Sequence, residues 1–127
     1  SLAGGPGIDR IDGGDGADRI YLDDTADTIV FGGFAGAGDR VFNFTSGVHD
    51  LEIDASGFNG IAGAFAFVSG AGPSPGVATQ TVLYDTTNGR LFIDVDGTGV
   101  MPLVYIAQMI GPGGAVSTLN AGDIVLV

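Results

Sequence analysis

Two nine-residue stretches stand back to back near the beginning of the chain, "GGPGIDRID" (4–12) and "GGDGADRIY" (13–21). Each opens on two glycines, carries a third glycine two places later, then an aspartate, and two places beyond that an isoleucine. A period this short constrains the fold strongly, because nine residues cannot hold a helix together with its connection. They do hold a tight turn followed by a three-residue strand, with the glycines supplying backbone conformations closed to other residues.

The period continues in worn form. Asp9, Asp18 and Asp27 lie nine apart, each followed two residues later by Ile11, Ile20 or Ile29. The third unit, "LDDTADTIV" (22–30), keeps the Asp and the Ile and has lost all three glycines; a fourth echo, "GAGDRVFNF" (36–44), arrives three residues late with Asp39 and Val41. Ile11, Ile20, Ile29 and Val41 are the middle residues of the strand triplets, and alternation sends them toward one interior. Two units make one coil, and coils stack at roughly the 4.8 Å strand spacing. Turns of alternate units therefore superimpose, which sets Asp9 over Asp27 and Asp18 over Asp39.

Two carboxylates that close repel by on the order of 3 kcal/mol at an effective dielectric near 20. The 127-residue chain has little to offset this: 15 acids face 4 arginines and no lysine, for a net charge of −11. Arg10 and Arg19 follow the aspartates directly, where side chains point outward. A calcium ion resolves the repulsion, since it is hard, oxygen-seeking and takes six to eight ligands, both carboxylates and turn carbonyls among them; magnesium, bound to a small octahedron, suits the arrangement less well. The same charge argues against nucleic acid and against anionic membrane surfaces as partners. With no cysteine there is neither a disulfide nor a thiolate metal site. No apolar run approaches the length of a membrane span and no signal peptide opens the chain, which starts at Ser1 and reads as a piece of a longer protein.

The two full units resemble the glycine-rich nonapeptide G-G-x-G-x-D-x-U-x of RTX proteins at every fixed position: Gly4, Gly5, Gly7, Asp9 and Ile11, then Gly13, Gly14, Gly16, Asp18 and Ile20. The resemblance implies a short parallel β-roll with calcium between stacked turns. It also implies export from a Gram-negative bacterium by a type I exporter, with folding only outside the cell. Gly5, Gly7, Asp9 and Asp27 would hold one ion; Gly14, Gly16, Asp18 and Asp39 would hold another. The segment "FNFTSGVHDLEIDASGF" (42–58) is similar to the stretch that closes the roll in C-terminal domains of serralysin-type metalloproteases, with Asp50, Ile53, Asp54, Ser56, Gly57 and Phe58 in the comparable places.

Eleven of the acids fall in the first 54 residues, so an acidic front (1–44, repeats) precedes an apolar back (45–127, cap) within one compact domain. The back reads as antiparallel, sandwich-like β structure, and the whole chain as all-β. "GIAGAFAFVSG" (60–70) admits a strand or a short helix, and "AGPSPG" (71–76) reads as a loop. "TVLYDTTNGRLFIDVDGTG" (81–99) reads as a hairpin turning with Asn88 and Gly89 at positive φ, "PLVYIAQMIG" (102–111) as another strand, and "TLNAGDIVLV" (118–127) as a turn and a last strand. Asp94, Asp96 and Thr98 are spaced like the opening ligands of a loop calcium site, although the glutamate that completes an EF-hand is absent; an acidic solvated turn is the competing reading.

Asp123 followed by four apolar residues resembles the terminal signature of type I secreted proteases and lipases. His49, the single histidine, reads as a solvent-facing turn residue, and the aromatic side chains read as core. We expect no enzyme in these residues. The expected role is a calcium-binding, folding and secretion module attached to an N-terminal catalytic domain, a protease or lipase by family resemblance. Two rivals are a carbohydrate-binding repeat module of an exported polysaccharide-modifying enzyme, which needs an exposed polar or aromatic strip, and a self-assembling unit of a surface layer or adhesin.

Overall fold

A computed structural model describes residues 2–33, 38–54, 65–74, 76, 80–96 and 103–127. The chain is all-β. Among the described residues the strands are β1 (Leu2–Ala3), β2 (Arg10–Asp12), β3 (Arg19–Tyr21), β4 (Thr28–Phe31), β5 (Asp39–Phe42), β6 (Asp50–Ile53), β7 (Ala66–Gly70), β8 (Thr81–Asp85), β9 (Arg90–Asp94), β10 (Val104–Ile110) and β11 (Ile124–Leu126), and short 3-10 turns occupy Pro112–Gly114 and Ala121–Asp123. They form a seven-stranded sheet in the order β1-β3-β5-β10-β9-β8-β7 and a four-stranded sheet in the order β11-β6-β4-β2.

The nine-residue period explains the front of both sheets. Consecutive triplets go to opposite sheets, so β1, β3 and β5 share one sheet while β2, β4 and β6 share the other, all in parallel. The register is that of an eighteen-residue coil where the repeat is intact, with Leu2 opposite Ile20 and Ile11 opposite Ile29. It lengthens where the repeat decays: Ile20 pairs with Val41 and Ile29 with Leu51. The extra residues sit in the turns, so the inward phase of each triplet survives. Ile20, Ile29 and Val41 are fully buried and Ile11 is 7% exposed, and each such burial is worth roughly 1.5–3 kcal/mol.

The back half continues these sheets. β10 adds to β5 in parallel, and the antiparallel pairs β10–β9 and β9–β8 extend the same sheet. The expectation of an antiparallel back holds for β8, β9 and β10 only. β7 pairs with β8 in parallel, and β11 pairs with β6 in parallel, because each returns to its sheet by a crossover rather than a tight turn. Leu51, Ile53, Leu91, Ile93, Ile106, Met109, Phe44 and Tyr84 join the repeat isoleucines in one core between the sheets. The expectation that the aromatic residues are core fails at Tyr21, which is 40% exposed and stacks on Phe42 at 4.7 Å.

The expected hairpin spans β8 and β9, with Asp85 opposite Arg90. Its turn needs only one left-handed residue: Gly89 has φ +76°, and Asn43 is the only non-glycine with positive φ among the described residues, so Asn88 is not in that conformation. Asn88 instead uses its side chain, whose Oδ1 accepts from Arg90 N at 2.9 Å. Of the closing segment, Ser56, Gly57 and Phe58 lie outside the described residues, as do residues 60–64, Pro75 and Thr98.

Candidate metal centre

Each full repeat places its glycines where the turn requires them. Gly5, Gly7, Gly14 and Gly16 have φ of +80°, +105°, +74° and +90°, the left-handed region that side chains avoid. The first glycine of each unit serves differently, by close approach. A Cβ on Gly4 would fall 2.5 Å from Asp9 Oδ2, and one on Gly13 would fall 3.0 Å from Asp18 Oδ2 and 3.2 Å from Asp39 Oδ2. Gly4 and Gly13 therefore leave the room that the carboxylates occupy, although sequence reasoning assigned only Gly5, Gly7, Gly14 and Gly16; the glycine at the head of both full repeats was the available signal.

The carboxylates are brought together in the expected pairs. Asp9 N donates to Asp27 Oδ1 at 2.9 Å, and Asp18 N donates to Asp39 Oδ1 at 2.7 Å. Backbone bonds repeat the same step: Thr28 N donates to Asp9 O and Arg40 N to Asp18 O, both at 2.8 Å. Asp27 and Asp39 are 1% and 2% exposed. Asp9 Oδ2 and Asp18 Oδ2 are buried and have no hydrogen-bond partner among the described residues. An orphaned carboxylate oxygen in each pair is costly for the protein alone and is the position a cation would satisfy.

The glycine-free third turn closes the Asp9–Asp27 pair with side chains. Asp23 and Thr25 stand where the repeat has its second and third glycines. The Thr25 hydroxyl lies 2.5 Å from Gly7 O, within bonding distance of Asp23 Oδ1 and 3.3 Å from Asp27 Oδ1. One hydroxyl proton cannot serve three acceptors at once. Sequence reasoning missed Asp23 and Thr25 because it read the lost glycines as damage, whereas oxygen-bearing side chains at those places were the signal.

Burial pushes the Asp39 carboxyl up to about 6, opposed by the bond from Asp18 N and reinforced by the charges of Asp18 and Asp12. Asp23, at the surface, is held below the ordinary carboxylate range chiefly by the Thr25 hydroxyl. No group of three or more His, Cys, Asp or Glu side chains is gathered among the described residues. A site here would consist of carboxylate pairs supplemented by main-chain and hydroxyl oxygens, a donor set that suits a hard cation.

One feature overturns an expectation for the rest of the chain, and a second ties the C-terminal segment to the same place. His49 is not solvent-facing: it is 1% exposed, its Nδ1 accepts from Thr45 N at 3.0 Å, and its Nε2 donates to Asp23 O at 2.8 Å. With Nδ1 accepting, the ring proton sits on Nε2, and the two bonds tie the 45–49 turn to the third repeat turn. Asp123 is also buried, 4% exposed, and holds the same turn from the other side. Its Oδ2 accepts from Ser46 Oγ at 2.6 Å and Asn120 N at 2.9 Å, and its Oδ1 accepts from Gly47 N at 3.0 Å. The C-terminal acid, the histidine and the Asp9–Asp27 pair thus form one connected chain of contacts.

Asp94 and Asp96 stand apart from these pairs at the end of β9, where Asp96 N donates to Asp94 Oδ1 at 3.3 Å. Asp94 is 3% exposed, which excludes a solvated turn at that position. Compared with protein-family models, with curated proteins and with solved structures, the chain matches none significantly.

The Asp39 shift predicts an inverted pH dependence in a chelator. A native carboxyl titrating near 6, against an ordinary value of 3.8 when unfolded, binds more protons than the unfolded one between those values. Stability is therefore lost as pH rises through that window and recovered as it falls. Far-UV circular dichroism in chelator should show more β structure at pH 5 than at pH 7, and Asp39→Asn should flatten the difference.

Proposed function

We propose that the chain is a calcium-binding folding module of the RTX kind, arranged as a short parallel β-roll with a β cap, in which two ions occupy the Asp9–Asp27 and Asp18–Asp39 pairs. The observation that carries this reading is the pair of buried, partnerless carboxylate oxygens, Asp9 Oδ2 and Asp18 Oδ2, each facing a second aspartate from the next coil. The alternation of triplets between two sheets, with parallel pairing among the repeat strands, and the positive-φ glycines support the same reading. The Asp9–Asp27 site would draw on Gly5, Gly7, Thr25 and Asp23, and the Asp18–Asp39 site on Gly14 and Gly16. Calcium bound there would supply charge neutralisation, and the protein's part is to hold the oxygens in two facing turns.

In this reading low calcium leaves the stacked aspartates repelling one another and the chain unfolded, the form suited to threading through a type I exporter. Outside the cell, each site adds about 2.7 kcal/mol to folding when free calcium is 100 times its dissociation constant, and extracellular modules work with millimolar-class sites. The reading assigns no catalysis to this chain, and places it beside a separate catalytic domain of an exported protein, a protease or lipase. The burial of Asp123 and the pairing of β11 with β6 bear on export. A signal at residues 123–127 can be read only before the domain folds.

Equilibrium dialysis should find two calcium ions per chain, with Asp27→Asn and Asp39→Asn each lowering the count by one. No calcium uptake, or uptake unaffected by both substitutions, would overturn the assignment. Removal of residues 123–127 should abolish export by a type I system while leaving synthesis unchanged; normal export of the shortened chain would contradict the signal.

A further inference from the structure

The turn that carries Asp9 and the turn that carries Asp27 are followed by a third tier on the same side of the coil. Arg10 stands opposite Thr28, and Thr28 opposite Asp50, so the residues just before them, Asp9, Asp27 and His49, form one column. The backbone repeats the step: Thr28 N donates to Asp9 O at 2.8 Å, and Asp50 N donates to Asp27 O at 3.1 Å. On the other side of the coil the column is Asp18, Asp39 and Ala107, since Arg19 stands opposite Arg40 and Asp39 opposite Ala107. Each column therefore holds two aspartates and then a residue without a carboxylate.

An imidazole where the column calls for a carboxylate rewires the second tier. In the first tier Asp9 N donates across to the facing carboxylate, Asp27 Oδ1, at 2.9 Å. His49 offers no oxygen to Asp27 N, which turns back into its own turn and donates to Thr25 O at 2.9 Å. The ring is buried, tilted against Phe44 at 5.8 Å, and carries its proton on Nε2, which donates to Asp23 O at 2.8 Å. Thr25 lies 18 residues, one full coil, beyond Gly7, as Asp23 does beyond Gly5. Gly5 and Gly7 are assigned above to the cation at the Asp9–Asp27 pair. Their equivalents one coil on, Asp23 O and Thr25 O, are both taken by N–H donors of the chain itself.

We propose that His49 stands in for a third cation. Its Nε2–H closes the tier between the 22–27 and 45–49 turns as an ion closes the tier before it, and so ends this ion column after one site. The inference rests on the metal reading above and names the residue that limits it. A carbonyl in a dry tier needs a donor, and the imidazole supplies one without a metal. With Asp27 facing no second carboxylate, the tier offers a divalent cation too few oxygens to fill a shell of six to eight. In the other column Ala107 belongs to β10, and the tier is closed by ordinary sheet pairing, with Gly38 N donating to Ile106 O at 2.6 Å. The cap is thereby fastened to the last repeat turn of each column by the chain's own hydrogen bonds, with no ion at the junction.

The test counts calcium ions on the full chain by equilibrium dialysis at saturating free calcium, with circular dichroism to follow folding. His49→Asp restores the carboxylate that the column lacks and should bind one more ion per chain than the unaltered protein. Val48→Asp adds the same charge one residue away, at an exposed position outside the column, and should bind no more. An unaltered chain that takes up no calcium would overturn the metal reading and this inference with it. An unaltered chain that binds two ions, with a folded His49→Asp variant also at two or with equal gains in both variants, would overturn this inference alone. So would a His49→Asp chain that stays unfolded at saturating calcium while Val48→Asp folds, because a carboxylate at that place would then have drawn no ion. In the unaltered, calcium-loaded protein, nitrogen-15 NMR should show the His49 proton on Nε2 and slow to exchange; a ring protonated on Nδ1 would overturn the inference without recourse to any variant.

Discussion

Stacked like charges are the constraint around which the front of this chain is organised. A nine-residue period brings every second turn into register, and with it every second aspartate. The protein answers part of the repulsion itself: one oxygen of Asp27 and one of Asp39 accept backbone N–H bonds from the aspartate they face. The opposing oxygens of Asp9 and Asp18 receive no such bond from the described residues. Turn glycines then matter in two physical senses. Some admit left-handed backbone, and others, Gly4 and Gly13, simply leave room for a carboxylate.

The second constraint is the way the back half is fastened to the front. β6 and β11 complete the sheet begun by β2 and β4, and β10 receives β5, so no seam separates repeats from cap in either sheet. The fastening is polar as well as apolar. Asp123 holds the 45–49 turn, and His49 in that turn holds the carbonyl of Asp23. A cation between Asp9 and Asp27 would thus order the turn to which the C-terminal segment is anchored, which links metal binding to burial of Asp123 by contacts rather than by distance.

Much of this was legible in the sequence, and the boundary of legibility has a physical reason. Local period fixes local register, so the pairings of Asp9 with Asp27 and of Asp18 with Asp39 follow from counting, including the three-residue delay before Asp39. Features that depend on partners far along the chain did not follow. His49 reads as an ordinary turn residue until Thr45 N and Asp23 O are seen to enclose it, and the parallel pairing of β7 with β8 depends on a crossover that hydrophobic alternation does not encode. The column of Asp9, Asp27 and His49 is the clearest case. His49 falls outside the nine-residue period, and only the register of β2, β4 and β6 sets it over Asp27.

The central claim is that neutralising the aspartate pairs decides whether the domain folds. Far-UV circular dichroism of the chain at neutral pH, first in a chelator and then with calcium restored, tests it most directly. The account predicts a disordered spectrum in chelator, a β spectrum once calcium is added, and little recovery with magnesium. A full β spectrum that persists in the chelator would contradict it.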